Sequence, residues 1–155
     1  MSTEQSTISV SRVIDAAAGD LFHLLSNPER HPELDGAGMV ISDEKTDRIA
    51  KVGDVFTMNM HNQKMGDYKT DNHVTGFDPN KLLAWQTAVA GTEPAGWEWM
   101  WELDALGPES TEVTLTYDWS KVTDKETLKK VSFPMISKDE LEESLNKLAA
   151  AVSGS

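Results

Sequence analysis

Alternation of apolar and polar residues runs through most of the chain, broken at regular intervals by glycine and proline. Ile8-Ser9-Val10-Ser11-Arg12-Val13-Ile14 alternates and predicts a first strand. Asp15 then has the character of an N-cap, and Ala16 to Leu25 predict a short helix with Leu21, Phe22 and Leu25 on one side. Asn27-Pro28 repeats the start signal and predicts a second, very short helix that His31-Pro32 stops. From Met39 onward the pattern predicts strands at 39–49, 54–61, 67–77, 81–89, 96–106 and 110–120. Gly53, Met65-Gly66-Asp67, Asp78-Pro79-Asn80, Gly91 to Gly96 and Gly107-Pro108 separate them, and such short connections imply antiparallel hairpins. Ser137-Lys138-Asp139-Glu140 reads as a capping box. It opens a helix whose Leu141, Leu145, Leu148 and Val152 form one apolar stripe.

The resulting order is a strand, two short helices, six antiparallel strands and a long helix. One sheet of seven strands has an apolar face, and the last helix carries the stripe needed to cover it. Side chains two apart in a strand share a face. Parity therefore assigns an inward set: Phe56, Met58 and Met60; Tyr68, Thr70, Asn72 and Val74; Leu83 and Trp85; Trp97, Trp99, Trp101 and Leu103; Val113, Leu115, Tyr117 and Trp119. Hairpin register follows, with Met60 opposite Tyr68, Met58 opposite Thr70 and Phe56 opposite Asn72. The three tryptophans of one strand offer on the order of 11–19 kcal/mol of burial as an upper bound. So many large rings hold sheet and helix apart, which argues for a cavity between them. Parity places no Asp, Glu, Lys, Arg or His on the inward strand faces and puts His61 and His73 outside.

Composition narrows the partners. The 155 residues suit a single domain over 1–155, with 1–6 and 153–155 expected as flexible ends. Net charge is −12, so nucleic acid and anionic membrane surfaces are poor partners. Cysteine is absent, which removes disulfides, thiolate metal sites and thiol catalysis from this chain. No stretch approaches the roughly 20 apolar residues of a membrane span, and the first residues lack a secretory pattern, so a cytoplasmic location is expected. The four histidines have no metal-ligand spacing, and the acidic run Asp139, Glu140, Glu142 and Glu143 suits a solvated first helical turn. No metal or cofactor is expected, and the chain is expected to be a monomer or weak homodimer.

Several segments together resemble a known family: Arg30-His31-Pro32, Asp35-Gly36, Gly53-Asp54-Val55-Phe56-Thr57-Met58-Asn59-Met60, Tyr68, Asn72, Val74, Phe77-Asp78-Pro79 and Leu83-Ala84-Trp85. Trp99-Met100-Trp101-Glu102-Leu103 and Thr111 to Trp119 complete the pattern. Over roughly residues 8 to 152 the chain resembles the SRPBCC superfamily, which includes START and Bet v 1-like proteins, and within it the bacterial polyketide cyclase/dehydrase-like group. Many relatives have arginine or tyrosine where Met100 stands, and often a glycine pair where Pro108-Glu109-Ser110 makes the tight turn; neither departure touches the inward face. The resemblance implies an α+β helix-grip fold, a curved seven-stranded antiparallel sheet around a long C-terminal helix. This fold hosts carriers, enzymes, receptors and co-chaperones, so it does not by itself assign a reaction.

The expected ligand set is Phe56, Met58, Met60, Tyr68, Asn72, Trp85, Trp97, Trp99, Trp101, Tyr117, Leu141 and Leu145, around a small lipid-like, aromatic or polyketide-like molecule. Catalytic candidates are His31, Asp35, Tyr68 and Tyr117. His31 and Asp35 read either as a His–carboxylate pair at the cavity mouth or, more commonly for loop residues, as an Asp capping backbone N–H groups and a His ending a helix. Asn72 reads either as a ligand partner or as a brace bonded to the 31–38 loop. Three functions follow: a binding module for a hydrophobic molecule, a cyclase, dehydratase or isomerase in the same cavity, and a protein-interaction module. The apolar inward faces favour the first.

Overall fold

Period-two alternation fixes which side of each strand is buried, and the sheet is assembled accordingly. The computed structural model describes residues 6–44, 46–130 and 136–153. Seven strands pair antiparallel throughout: β1 (Thr7–Ile14), β2 (Val40–Asp43), β3 (Val55–Asn62), β4 (Gly66–Asp78), β5 (Leu82–Val89), β6 (Glu98–Gly107) and β7 (Ser110–Asp118). Their order across the sheet is β1-β7-β6-β5-β4-β3-β2. Two helices, α1 (Ala18–Leu25) and α2 (Lys125–Lys130), are short, and α3 (Lys138–Ser153) is long. A 3₁₀ segment, Pro28–Glu33, follows α1. This is the expected α+β helix-grip architecture. No helix among the described residues is long and apolar enough to cross a membrane.

The register of the β3–β4 hairpin is the expected one, with Met60 opposite Tyr68, Met58 opposite Thr70 and Phe56 opposite Asn72. Phe56, Met58, Thr70, Asn72, Val74, Leu83, Trp101, Leu103, Val113, Leu115, Tyr117 and Trp119 are all buried. Helix α3 opens on the capping box: Ser137 N–H donates to Glu140 Oε1 at 2.9 Å, and Glu140 N–H donates to Ser137 Oγ at 3.1 Å. Leu141, Leu145 and Leu148 are buried beneath it, with Val152 partly so.

Several local expectations are corrected. Asp15 is not a cap: Ala16 N–H bonds back to the Ile14 carbonyl, and the tight turn delays α1 until Ala18, whose N-cap is Ala17. Pro32 does not stop the second helix but lies inside it, as the looser 3₁₀ bonding permits. The strand expected at 39–49 ends at Asp43, because Asp43 Oδ2 accepts from the Thr46 N–H and hydroxyl and turns the chain. Ile49 is instead buried, its N–H bonded at 2.8 Å to the carbonyl of Ser26, the C-cap of α1.

Two charged residues do share the inward face, Asp43 of β2, which stands opposite Met58, and Arg12 of β1. Arg12 stands opposite Val113, between buried Val10 and Ile14, and reaches outward to Asn146 Oδ1 on α3 at 2.7 Å. As a rim residue on an edge strand it keeps its charge in water. On the outer face, Glu98 is unexpectedly buried and accepts from the Thr75 hydroxyl at 2.6 Å. Of the two ends expected as flexible, residues 1–5 and 154–155 lie outside the described residues. Ser6 accepts a backbone bond from Trp119, and Ser153 belongs to α3.

Candidate functional site

Aromatic strands on one side and a leucine-striped helix on the other do leave a gap. A cavity of about 130 Å³, open to solvent, lies between the sheet and α3. Of the expected ligand set, Phe56, Met58, Met60, Asn72, Trp85, Trp99, Trp101 and Leu141 line it. Leu25, Leu34, Val40, Leu115 and Ile136 extend its apolar wall. Its polar edge consists of His31, Asp35, Thr70, Thr87 and Ser144.

Four predicted residues stand elsewhere. Trp97 precedes β6, so strand alternation does not hold it in the wall, and it packs half-buried against the core. Tyr117 is fully buried with its ring stacked on Trp99 at 4.2 Å and 8°, which places it behind the cavity wall. Tyr68 sits at the hairpin end of β4 in a second pocket beside Ile41, Met60 and Lys69. Its hydroxyl accepts from Asn62, and burial pushes its pKa above 10.0, away from acid chemistry near neutrality. Leu145 is core rather than lining.

His31 and Asp35 both reach the cavity, yet no hydrogen bond joins them. Asp35 Oδ1 accepts from Ala37 N–H at 3.0 Å, and its Oδ2 accepts from Met39 and Val40 N–H at 2.7 and 2.8 Å. The carboxylate is spent on shaping the loop into β2, the commoner of the two readings. His31 Nε2 lies 2.7 Å from the Leu25 carbonyl oxygen. A carbonyl only accepts, so Nε2 carries the proton and Nδ1 keeps its lone pair. The ring stacks on Trp85 at 5.2 Å and meets Phe56 edge-on at 5.3 Å.

Burial lowers the His31 pKa from its ordinary 6.5, outweighing the opposing pull of the Leu25 bond and of Asp35 and Asp43. The sign of the consequence is fixed. Above about pH 7 the ring is neutral in both folded and unfolded chains, and its contribution is fully present. As pH falls below 6.5 the unfolded chain takes a proton that the folded ring resists. Stability should then drop by up to about 1.4 kcal/mol per pH unit until the folded pKa is passed. Urea unfolding from pH 7 to 5 should show this slope, and His31→Phe should flatten it. Equal slopes in the two proteins would mean the ring is not held neutral. Asp54 and Asp71, whose pKa values are held below 3.8 chiefly by backbone N–H donors, act at lower pH.

Asn72 does not bond to the 31–38 loop. Trp99 Nε1–H donates to Thr87 Oγ1 at 3.2 Å, and the Thr87 hydroxyl donates to Asn72 Oδ1 at 2.7 Å. Asn72 Nδ2 then donates to the Phe56 carbonyl at 3.1 Å and to Thr70 Oγ1 at 3.2 Å. The direction is forced from one end, because an indole N–H can only donate, and from the middle, because a carbonyl can only accept. The amide therefore stitches β3, β4 and β5 together, instead of anchoring the 31–38 loop. Asn72→Leu should cost about 1–3 kcal/mol by stranding the buried Phe56 carbonyl and the part-buried Thr87 hydroxyl. A urea midpoint equal to wild type would show that these bonds add nothing.

Sequence reasoning missed Gly36 and Ser144 as the pair that docks the loop on α3. Gly36 N–H donates to Ser144 Oγ at 2.8 Å, and Lys147 Nζ donates to the Asp35 carbonyl at 3.1 Å. The Asp35-Gly36 pair was a visible signal, but its partner lies more than a hundred residues away. Among the described residues no cluster of three or more His, Asp or Glu could hold a metal ion.

Comparisons with known proteins agree with the fold. No protein-family model matches the sequence. The chain is 36% identical over 112 residues to the uncharacterized proteins Rv0088 and MT0096 from two strains of Mycobacterium tuberculosis. That match covers 71% of this chain and 47% of each relative, so the chain spans about half the length of the curated relatives it matches. Among solved structures, protein Ms6760 from Mycobacterium smegmatis superposes with a TM-score of 0.67 at 11% identity, covering 96% of this chain and 91% of that one. Protein MLL2253 from Mesorhizobium loti gives 0.64 at 18% identity, over 96% and 98%. The Aha1 dimer from Colwellia psychrerythraea gives 0.58 at 19% identity, over 96% of each chain. These bacterial proteins share a seven-stranded antiparallel sheet with a C-terminal helix, consistent with a Bet v 1-like fold.

Proposed function

We propose that this chain is an SRPBCC-type binding module that takes a small hydrophobic molecule into the space between its sheet and α3. The observation that carries the reading is the cavity: about 130 Å³, walled by Phe56, Met58, Trp85, Trp99, Trp101 and Leu141. Apolar, concave sites with a few polar groups are where small molecules bind. A cyclase or dehydratase reading has less support, because the expected acid–base pair is not assembled. The Asp35 carboxylate is committed to three backbone N–H groups, Tyr117 lies behind Trp99, and Tyr68 is outside the cavity.

A ligand that binds only the folded chain raises its stability by mass action, by about 2.7 kcal/mol at a hundredfold excess over Kd. A panel of small hydrophobic compounds should therefore raise the thermal midpoint, with a stoichiometry of one per chain. Native mass spectrometry of freshly purified protein should show a bound small molecule. Indole fluorescence should respond through Trp99 and Trp101. A panel that leaves both midpoint and fluorescence unmoved, with no co-purified mass, would sink the binding reading.

A further inference from the structure

The polar atoms of the cavity have fixed directions, and two of them keep unused hydrogen-bonding capacity. The chain of hydrogen bonds that begins at Trp99 Nε1–H runs through Thr87 and Asn72 and ends on Thr70 Oγ1 as an acceptor. The Thr70 proton is then free to donate, and Thr70 is buried at 4% exposure in the cavity wall. His31, with Nε2–H given to Leu25, keeps an acceptor at Nδ1 on a ring that lines the same cavity at 8% exposure. Asp35 and Ser144, the other polar residues of the α3 side, are already bonded to the backbone. Beside those committed polar groups, the site offers a donor at Thr70 and an acceptor at His31 against an apolar, aromatic wall.

Size limits what can sit there. A buried apolar cavity of about 150 Å³ takes benzene. At about 130 Å³ this one holds a single ring, and any longer tail must leave through the opening. His31, Phe56, Trp85, Trp99 and Trp101 supply ring faces and edges, which favour a flat aromatic partner over a branched aliphatic one.

We infer that the cavity is built for a single aromatic ring bearing a hydroxyl, a phenol-class ligand whose O–H donates to His31 Nδ1 while its oxygen accepts from Thr70 Oγ1–H. The inference rests on the binding reading above and narrows it. A phenolic hydroxyl meets both polarities, whereas an ether can only accept and a hydrocarbon can do neither. Carboxylates are disfavoured at the His31 end, since two lone-pair atoms would face each other in a low-dielectric pocket.

Calorimetric titration of the full chain with phenol, anisole and toluene tests this without any mutation. Phenol should bind one per chain and roughly fivefold or more tighter than either analogue, the effect of about one net hydrogen bond. Thr70→Val and His31→Phe, each first shown to unfold cooperatively, should shrink that advantage. Anisole and toluene binding as tightly as phenol would overturn the assignment of His31 and Thr70 while leaving the cavity reading standing. Dodecanoic acid binding where none of the three single-ring compounds does would overturn this inference while leaving the binding reading standing. No binding by any of the four would overturn both this inference and the reading beneath it.

Discussion

Gly36→Ala should abolish the stable fold or come close to it. A Cβ placed at Gly36 would lie 2.1 Å from the Glu140 carbonyl oxygen, 2.7 Å from Ser144 N and 3.0 Å from Glu143 Cβ. The first two are backbone atoms of α3, and backbone cannot rotate out of the way as a side chain can. Relief requires the loop to lift from the helix. That movement would break the Gly36 N–H to Ser144 bond and the Lys147 bond to the Asp35 carbonyl, and would pull on the Asp35 cap behind them. Overpacking of ordinary side chains already costs about 1–3 kcal/mol, so a clash with fixed backbone should exceed about 3 kcal/mol. For a domain with about 5–15 kcal/mol in hand this is a large share. Urea unfolding measures it. Gly107→Ala is the control: nothing lies within 4 Å of the added Cβ there, and the change should stay within about 0.5 kcal/mol. Equal, small losses at both positions would mean the loop is not seated on α3 as described. Ser144 and Leu141 border the cavity, so a lifted loop should also cost ligand binding.

What could be read from the sequence divides along a physical line. Features that repeat every two residues, or that close within one helical turn, were legible. The β3–β4 register followed from alternation because a slip by one would turn Phe56, Met58 and Asn72 out to solvent together. The start of α3 followed from Ser137 and Glu140, whose reciprocal bonds need only local geometry. The cavity itself was anticipated from the bulk of the inward rings. Alternation failed where an extra residue interrupts it. The bulge between Val74 and Gly76 reverses parity, so that Phe77 turns inward and meets Phe22 of α1 edge-on at 5.4 Å. It failed again at Trp97, one residue outside β6. Helix α2 was overlooked although its signal is local: Asp124 Oδ2 accepts from the Thr127 hydroxyl at 2.8 Å and caps the turn.

The candidate site was less legible than the fold, and for a consistent reason. Its apolar lining is a matter of which face a residue is on, which parity supplies. Its chemistry depends on which partner each polar atom finds, and those partners are set by tertiary contact. From the sequence, His31 reads either as the partner of Asp35, four residues away, or as a residue that ends a helix. In the structure it gives its proton to the carbonyl of Leu25, which no pattern of residue types would mark, because every residue carries a carbonyl. Asn72 was correctly placed on the inner face, but Thr87, its main side-chain partner, belongs to the next strand and became visible only through the β4–β5 register.

Leu145→Ala should destabilise the chain by about 2–5 kcal/mol without altering what the cavity binds. Leu145 is 2% exposed and lies on the buried stripe of α3, between Leu141 and Leu148, which are 1% and 0% exposed. Its truncation removes apolar burial and leaves a void that the surrounding core fills only in part. Leu145 does not line the cavity, whereas Leu141 does. Leu141→Ala should therefore cost a similar amount in stability and, in addition, deepen the cavity. The two substitutions are the same chemistry one helical turn apart, so a difference between them in ligand response isolates the cavity from the core. Thermal and urea unfolding give the first quantity. Titration of both variants with toluene and with a two-ring compound such as naphthalene gives the second. The Leu141 variant should gain the two-ring compound, and the Leu145 variant should keep the wild-type preference for one ring. A loss within about 0.5 kcal/mol at Leu145 would remove α3 from the core. Gain of naphthalene by both variants alike would show that the space beneath α3 is one continuous void rather than a core with a cavity at one end.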